Sequence, residues 1–180
     1  MTISAMLLAG SMFAAEDSPL WLRRNCISPD GSKIAFCYKG DIYVVSADGG
    51  KALQITSNPA YDSDPIWTPD GKSIVFSSFR DADKDIYITS AEGGTPERVT
   101  DYPGRETPMA VLEDGRIVFS ANLQQDAVYD GFPGNAAQLY TVGRQGGRPE
   151  FVTSLPVSGL SVNKEGTVLY EDWKGYEDSF

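Results

Sequence analysis

Thr68-Pro69-Asp70-Gly71, followed at once by Ile74-Val75-Phe76, is the stretch on which the reading of this chain turns. Pro presets φ for the first turn position, Asp can hydrogen-bond its own backbone, and Gly accepts positive φ, so the first four residues read as a tight turn. The run behind them is β-branched and aromatic, as a strand buried between layers is. The same unit stands earlier as Ser28-Pro29-Asp30-Gly31 before Ile34-Ala35-Phe36. It returns, worn, as Glu113-Asp114-Gly115 before Ile117-Val118-Phe119, and last as Lys164-Glu165-Gly166 before Val168-Leu169-Tyr170.

Around each copy the rest of a repeat can be laid out. Asp41-Ile42-Tyr43-Val44 is matched by Asp85-Ile86-Tyr87-Ile88, and Gln138-Leu139-Tyr140 takes that place in the third copy. Asp48-Gly49-Gly50, Glu92-Gly93-Gly94 and Gln145-Gly146-Gly147 form a second recurring turn. Ile55-Thr56, Val99-Thr100 and Val152-Thr153 each close a repeat. The turn aspartates Asp30, Asp70 and Asp114 are spaced by 40 and then 44 residues. The extra length falls in one hairpin, whose span from strand Phe to the Asp-Ile-Tyr position grows from 5 to 9 to 19 residues. Insertions confined to one loop mark a binding or packing face of a repeat array.

Four short strands in a period of roughly 40–45 residues is the signature of a β-propeller blade. The expected fold is therefore all-β: a β-propeller segment of four-stranded antiparallel blades, three complete and the start of a fourth. The blades are expected at about 25–64, 65–107 and 108–158, with the next beginning at 159–180. Propellers close with typically 4–8 blades, and an open ring leaves strand edges that invite pairing. The chain is thus expected to be one piece of a longer polypeptide, and in isolation to be marginally stable or self-associating.

The formal net charge of −10 repels phosphate backbones and acidic membranes, which argues against nucleic acid as a partner. There is no histidine, so Ser-His and Cys-His nucleophilic catalysis and His-ligated metals are excluded within these 180 residues. Residues 1–15 are uncharged and apolar, of signal-peptide core length, and stop at Glu16-Asp17, although no Lys or Arg precedes Arg23. A buried N-terminal element is the alternative. Cys26 and Cys37 flank the first turn; if it closes a hairpin they lie nearly opposite each other, at a Cβ separation of about 4.5–5.5 Å, wider than a relaxed disulfide prefers. Two small buried apolar residues are the plainer reading, since the matching Ile66 and Ser77 hold no cysteine.

The repeats resemble the WD40-like, TolB-type propeller repeat, with Trp67-Thr68-Pro69-Asp70-Gly71 as the best copy of its turn. The opening Pro19-Leu20-Trp21-Leu22-Arg23, the run Gly40-Asp41-Ile42-Tyr43-Val44-Val45 and the ending Tyr170-Glu171-Asp172-Trp173-Lys174-Gly175-Tyr176-Glu177-Asp178 resemble more narrowly the N-terminal propeller of tricorn-type serine proteases. That resemblance implies further blades, a PDZ-like module and a protease domain beyond this chain, with the catalytic residues in that last domain. It implies a propeller that filters peptides and holds the assembly together, in the periplasm or outside the cell. The expected partners are peptides or proteins, the remaining domains of a longer chain, and other copies in an oligomer. No catalytic or cofactor-binding residue is carried over, and the TolB-like alternative is a protein-binding propeller with no protease attached.

Among single sites, Asp81, Asp83 and Asp85 begin a calcium-loop pattern with Glu92 at its twelfth place, but Ile86 stands where the sharp turn needs Gly. A polar hairpin loop accounts for Asp81 and Asp83. The recurrent Asp41 and Asp85 are expected to accept backbone N–H groups where their strands begin. Tyr43, Tyr87 and Tyr140 are expected between blades. Tyr129 and Phe132, on the long third hairpin, and Trp173 and Tyr176, near the C-terminus, are candidate contacts for a peptide or a neighbouring domain.

Overall fold

A computed structural model describes residues 22–123, 137–154, 157–163 and 166–172. The turn that opens each repeat forms as its residues dictate. In all four copies the Gly donates its N–H to the carbonyl three residues back: Gly31 to Ser28 and Gly71 to Thr68 at 2.9 Å, Gly115 to Leu112 at 2.9 Å and Gly166 to Asn163 at 3.0 Å. The aspartate carboxylate completes the loop. Asp70 Oδ1 accepts the Thr68 hydroxyl at 2.6 Å and the Lys72 N–H at 3.0 Å; Asp30 does the same with Ser28 and Ser32. Those hydroxyl and amide donors pull the Asp30 carboxyl down to about 2 and hold Asp70 below the usual range.

Each repeat folds into one antiparallel sheet. Blade 1 is β1 (Arg23–Ile27), β2 (Lys33–Tyr38), β3 (Asp41–Ser46) and β4 (Leu53–Gln54). Blade 2 is β5 (Asp62–Trp67), β6 (Ser73–Asp81), β7 (Asp83–Ser90) and β8 (Glu97–Arg98). Blade 3 is β9 (Thr107–Val111), β10 (Ile117–Ala121), β11 (Gln138–Gly143) and β12 (Gly146–Thr153). A hairpin of β13 (Val157–Val162) and β14 (Val168–Asp172) begins a fourth. The first strands β1, β5, β9 and β13 contact one another in succession, which is the radial arrangement of a propeller.

Alternation along the strands builds the core. On β6, Ile74 and Phe76 pack towards blade 1 with Ala35, Cys37, Ile42 and Val44, while Val75 packs towards blade 3 with Ile117, Phe119 and Tyr140. On β7, Tyr87 joins the first cluster and Ile86 and Ile88 the second. Period-two burial on both faces is why these runs are apolar throughout. Burying each large side chain contributes about 1.5–3 kcal/mol. The two halves of the sequence pattern meet across one hairpin in every blade: Phe36 pairs with Tyr43, Phe76 with Tyr87, and Phe119 with Tyr140. Their rings stack with centroids 5.8, 6.0 and 5.8 Å apart. These tyrosines therefore pair within their own sheet before they reach a neighbouring blade.

The cysteine geometry differs from expectation. Arg24 takes φ 50°, which puts a bulge into β1 and slips the register, so Cys26 faces Ala35 and Cys37 faces Arg23. Both thiols are free, and Cys37 lies buried with its Sγ 3.1 Å from the carbonyl of Asp62. Residues 1–15, Tyr129, Phe132, Trp173 and Tyr176 lie outside the described residues.

Candidate interaction face

One end of the propeller carries the β2–β3 and β6–β7 hairpins together with the segments that lead into β5 and β9. Here each hairpin hooks the next blade. Asp62 donates its N–H to Gly40 O at 2.8 Å, and Glu106 donates its N–H to Lys84 O at 2.7 Å. A side chain doubles each hook: Cys37 donates to Asp62 O and Ser77 Oγ to Glu106 O, both at 3.1 Å. A buried threonine closes each blade from behind, Thr56 Oγ1 accepting Ile42 N–H at 2.9 Å and Thr100 Oγ1 accepting Ile86 N–H at 2.8 Å. The outer strands β4 and β8 before these threonines are two residues long.

Charged groups from blades 1 and 2 converge on this end, and a hydroxyl from blade 3 joins them. Asp64, held at φ 54° in the bulge of β5, accepts Lys84 Nζ at 2.9 Å and faces Arg24 Nε at 3.3 Å. Lys84 also donates to Thr107 Oγ1 at 2.8 Å, tying β7 to β9. Burial works to raise the Asp64 carboxyl; the Lys84 ammonium, the Ser63 hydroxyl and Arg24 outweigh it and leave the group below the usual range. Asp62 is wholly buried and bound by Arg80 Nη2 at 2.8 Å, whose Nε donates to Ser78 Oγ at 2.9 Å. The same guanidinium lies 4.9 Å over the Tyr87 ring and 5.5 Å over Phe76. Beside this network Tyr61 and Phe79 are 48% and 39% exposed, joined through Phe79 N–H and Tyr61 O at 3.4 Å.

The Asp81, Asp83 and Asp85 triplet is taken apart by the hairpin. The strand β6 runs to Asp81, the chain reverses at Ala82 with φ 78°, and Asp83 pairs back against Asp81. Asp81 accepts the Tyr87 hydroxyl, and Asp85 is wholly buried against Arg98 Nη2 at 2.7 Å. Burial and the Asp81 bond raise the Tyr87 phenol. No group of three or more Asp, Glu, Cys or His placed to hold a metal is found among the described residues. Asp41 behaves as its position suggests, accepting Asn58 N–H at 3.3 Å and Gln54 Nε2 at 3.0 Å. Asp85 does not: its partners are the Arg98 guanidinium and the carboxyl of Glu106.

Asp62, Arg80, Lys84 and Glu106 carry this face, and residue-by-residue reading of the repeats passed over them. One signal was available. Asp62 follows Thr56, and Glu106 follows Thr100, at the same interval, so an acidic residue recurs where one blade hands over to the next. Chemically the arrangement can fix a surface rigidly and present aromatic side chains on it.

A family model described as the tricorn protease N-terminal beta propeller domain matches residues 20–179. The Tol-Pal system protein TolB of Anaeromyxobacter dehalogenans is 46% identical over 57 residues, which are 27% of this chain and 13% of that protein. An uncharacterized peptidase, YuxL of Bacillus subtilis, is 43% identical over 53 residues, 27% of this chain and 8% of that one. The chain therefore spans a small part of the relatives it matches. Among solved structures, TolB from Acinetobacter baumannii has a TM-score of 0.64 at 22% identity, covering 84% of this chain and 38% of that one. The tricorn protease has a TM-score of 0.67 at 20% identity, covering 85% and 15%. At such identities these two show the fold alone.

Proposed function

The chain belongs to the family of the tricorn protease N-terminal beta propeller domain, and from that premise we propose that it is the non-catalytic propeller of a tricorn-like protease. In this reading the blades form a scaffold. The end bearing Tyr61, Phe79 and the Asp64–Lys84–Arg24 cluster binds or gates peptides on their way to a protease domain elsewhere in the protein. The carrying observation is that ion pairs between blades 1 and 2, with a Lys84–Thr107 hydrogen bond to blade 3, tie this one end together while exposed aromatics stand beside them. Rigid placement of a few anchors is what peptide recognition requires. The apolar residues 1–15 support export to the periplasm or beyond.

A fluorophosphonate probe applied to the complete gene product tests the protease assignment. Labelling of a serine outside these 180 residues, together with peptide hydrolysis, is the expected result. Absence of both on a folded full-length protein overturns it. The second reading, a TolB-like protein-binding propeller, is favoured by the 57-residue stretch shared with TolB. It predicts a gene product that captures a protein partner and carries no serine-reactive group. Cell fractionation with N-terminal sequencing checks export: a mature protein starting near Glu16 in the periplasmic or extracellular fraction is expected, and an intact Met1 in the cytoplasm sinks it.

A further inference from the structure

Where blade 2 meets blade 3, two acidic side chains are buried against each other. Asp85 on β7 and Glu106, just before β9, have no solvent-exposed surface. Of their four carboxyl oxygens, Asp85 Oδ2 takes the Arg98 guanidinium at 2.7 Å and Glu106 Oε2 takes the Thr100 hydroxyl at 3.1 Å. The other two, Asp85 Oδ1 and Glu106 Oε1, are buried with no donor from any other protein group. The fold sets the two side by side: of the residues flanking Asp85, Lys84 accepts the Glu106 N–H through its carbonyl at 2.7 Å, and Ile86 donates its N–H to the Thr100 hydroxyl that in turn donates to Glu106 Oε2. Two carboxylates have only acceptors to offer, so neither of these oxygens can satisfy the other unless one of the acids carries a proton. Two neighbouring carboxyls buried together do not both ionise readily: the like charge and the burial each favour keeping one of them neutral.

We propose that Glu106 is held as the neutral acid, donating from Oε1 to Asp85 Oδ1, and that this one proton is a latch between blades 2 and 3 that weakens as the solution turns from acid to mildly alkaline. Asp85 remains the ionised partner because Arg98 faces it. Burial, then Asp85 and Asp83, push the Glu106 carboxyl up to about 8. The surrounding groups act in the same sense or are already committed. From β6 comes Asp81, and from β7 come Asp83, Lys84 and Tyr87, of which Lys84 is bound to Asp64. From β8 and the segment behind it come Arg98, Asp101 and Tyr102, with Arg98 shared between Asp85 and Asp101 at 2.7 Å each. Arg105 precedes Glu106 and bridges to Lys84 through the backbone.

The seam between blades 1 and 2 is the internal control. Asp62 stands where Glu106 stands, donating its N–H to the preceding hairpin in the same way. Asp62 Oδ1 is likewise buried without a donor, but its carboxylate is paired with Arg80 and no second buried acid faces it, since Asp41, in the place of Asp85, is only partly buried and bound by Asn58 and Gln54. No shared proton is needed there. The sign at the other seam follows from linkage. The closed seam keeps the Glu106 proton up to about pH 8, whereas an opened one releases it near the ordinary 4.5. The opening constant therefore rises up to tenfold per pH unit between those limits and levels off above them.

Amide hydrogen exchange of the intact chain between pH 5.5 and 9, corrected for intrinsic exchange, reads this directly. The Glu106 N–H, bonded to Lys84 O, is expected to show an opening constant at least tenfold larger at pH 8 than at pH 6, with the Asp62 N–H changing less than twofold. In Glu106→Gln the side-chain amide donates permanently, and the Glu106-site dependence is expected to vanish; a variant with the parent's pH dependence overturns the proposal. Carbon-13 titration of the Glu106 carboxyl in the unaltered chain decides independently of any variant. A midpoint near 8 supports the latch, and one near 4.5 refutes it.

Discussion

Three glycines at matching turns form a natural series for measuring how closely the blades approach. Gly49, Gly93 and Gly146 have φ of 89°, 90° and 82°, so an alanine meets nearly the same backbone strain at each. That strain costs about 1–2 kcal/mol for a residue with a Cβ. The lowered entropy of the unfolded chain offsets part of it equally in all three. Clearance is what differs. A Cβ at Gly49 meets nothing within 4 Å, one at Gly93 lies 3.8 Å from Ile55 O, and one at Gly146 lies 2.7 Å from Val99 O. Val99 cannot easily retreat, since its N–H is bonded to Ile86 O at 2.8 Å and its side chain sits in the cluster between blades 2 and 3. Forcing such a contact open costs about 1–3 kcal/mol beyond the backbone strain. Urea unfolding followed by circular dichroism should place Gly49→Ala and Gly93→Ala close together, with Gly146→Ala lower by that further amount at an unchanged slope. Equal costs at Gly49 and Gly146 would refute the claim that the β11–β12 turn seats on the backbone of blade 2.

Three further outcomes follow from the geometry. Arg80→Ala leaves the buried Asp62 carboxylate without its cation and is expected to cost about 3–5 kcal/mol in the same unfolding assay. Trp67→Phe keeps the ring in the core but loses the bond from Nε1 to Cys26 O at 3.0 Å, for about 1 kcal/mol in urea, with no change of far-ultraviolet spectrum. The turn aspartates act at acid pH: their folded values lie below the ordinary 3.8, at about 2 for Asp30, so their contribution is present above pH 4 and lost as pH falls towards 2. Replacing Asp30, Asp70 and Asp114 by Asn keeps an acceptor oxygen and removes the titration, so the thermal midpoint of the triple variant should fall less between pH 4 and pH 2 than that of the parent.

The blades were legible in the sequence because their determinants are local. Asp-Gly turns fix where a hairpin reverses, and the Ile-x-Phe and Asp-Ile-Tyr runs then fall opposite each other, so Phe36 meets Tyr43 without help from elsewhere. The cysteine register was not legible. A single residue at positive φ, Arg24, inserts a bulge that no propensity of Arg announces, and it sets Cys26 opposite Ala35 and Cys37 opposite Arg23. The charged end was hidden for a different reason. Its partners lie far apart in the chain, as Asp64 does from Arg24 and Lys84, and Arg80 occupies the hairpin insertion that blade 1 lacks, so no repeat comparison could supply its role.

The two seams show what repetition preserves and what it leaves free. The backbone hooks are kept almost to the tenth of an ångström, Asp62 on Gly40 O and Glu106 on Lys84 O, and so are the threonine bonds to Ile42 and Ile86. The charges around those hooks are not kept. One seam neutralises its buried acid with Arg80; the other leaves two acids to share a proton, with Arg98 holding the second. Geometry that many positions enforce together survives substitution, whereas a buried charge needs only one compensating partner, which different blades can find in different ways. The blades are therefore interchangeable as pieces of architecture but not as electrostatic environments. At mildly alkaline pH the seam beside blade 3 should yield before the seam beside blade 1, although both rest on the same pattern of packed strands.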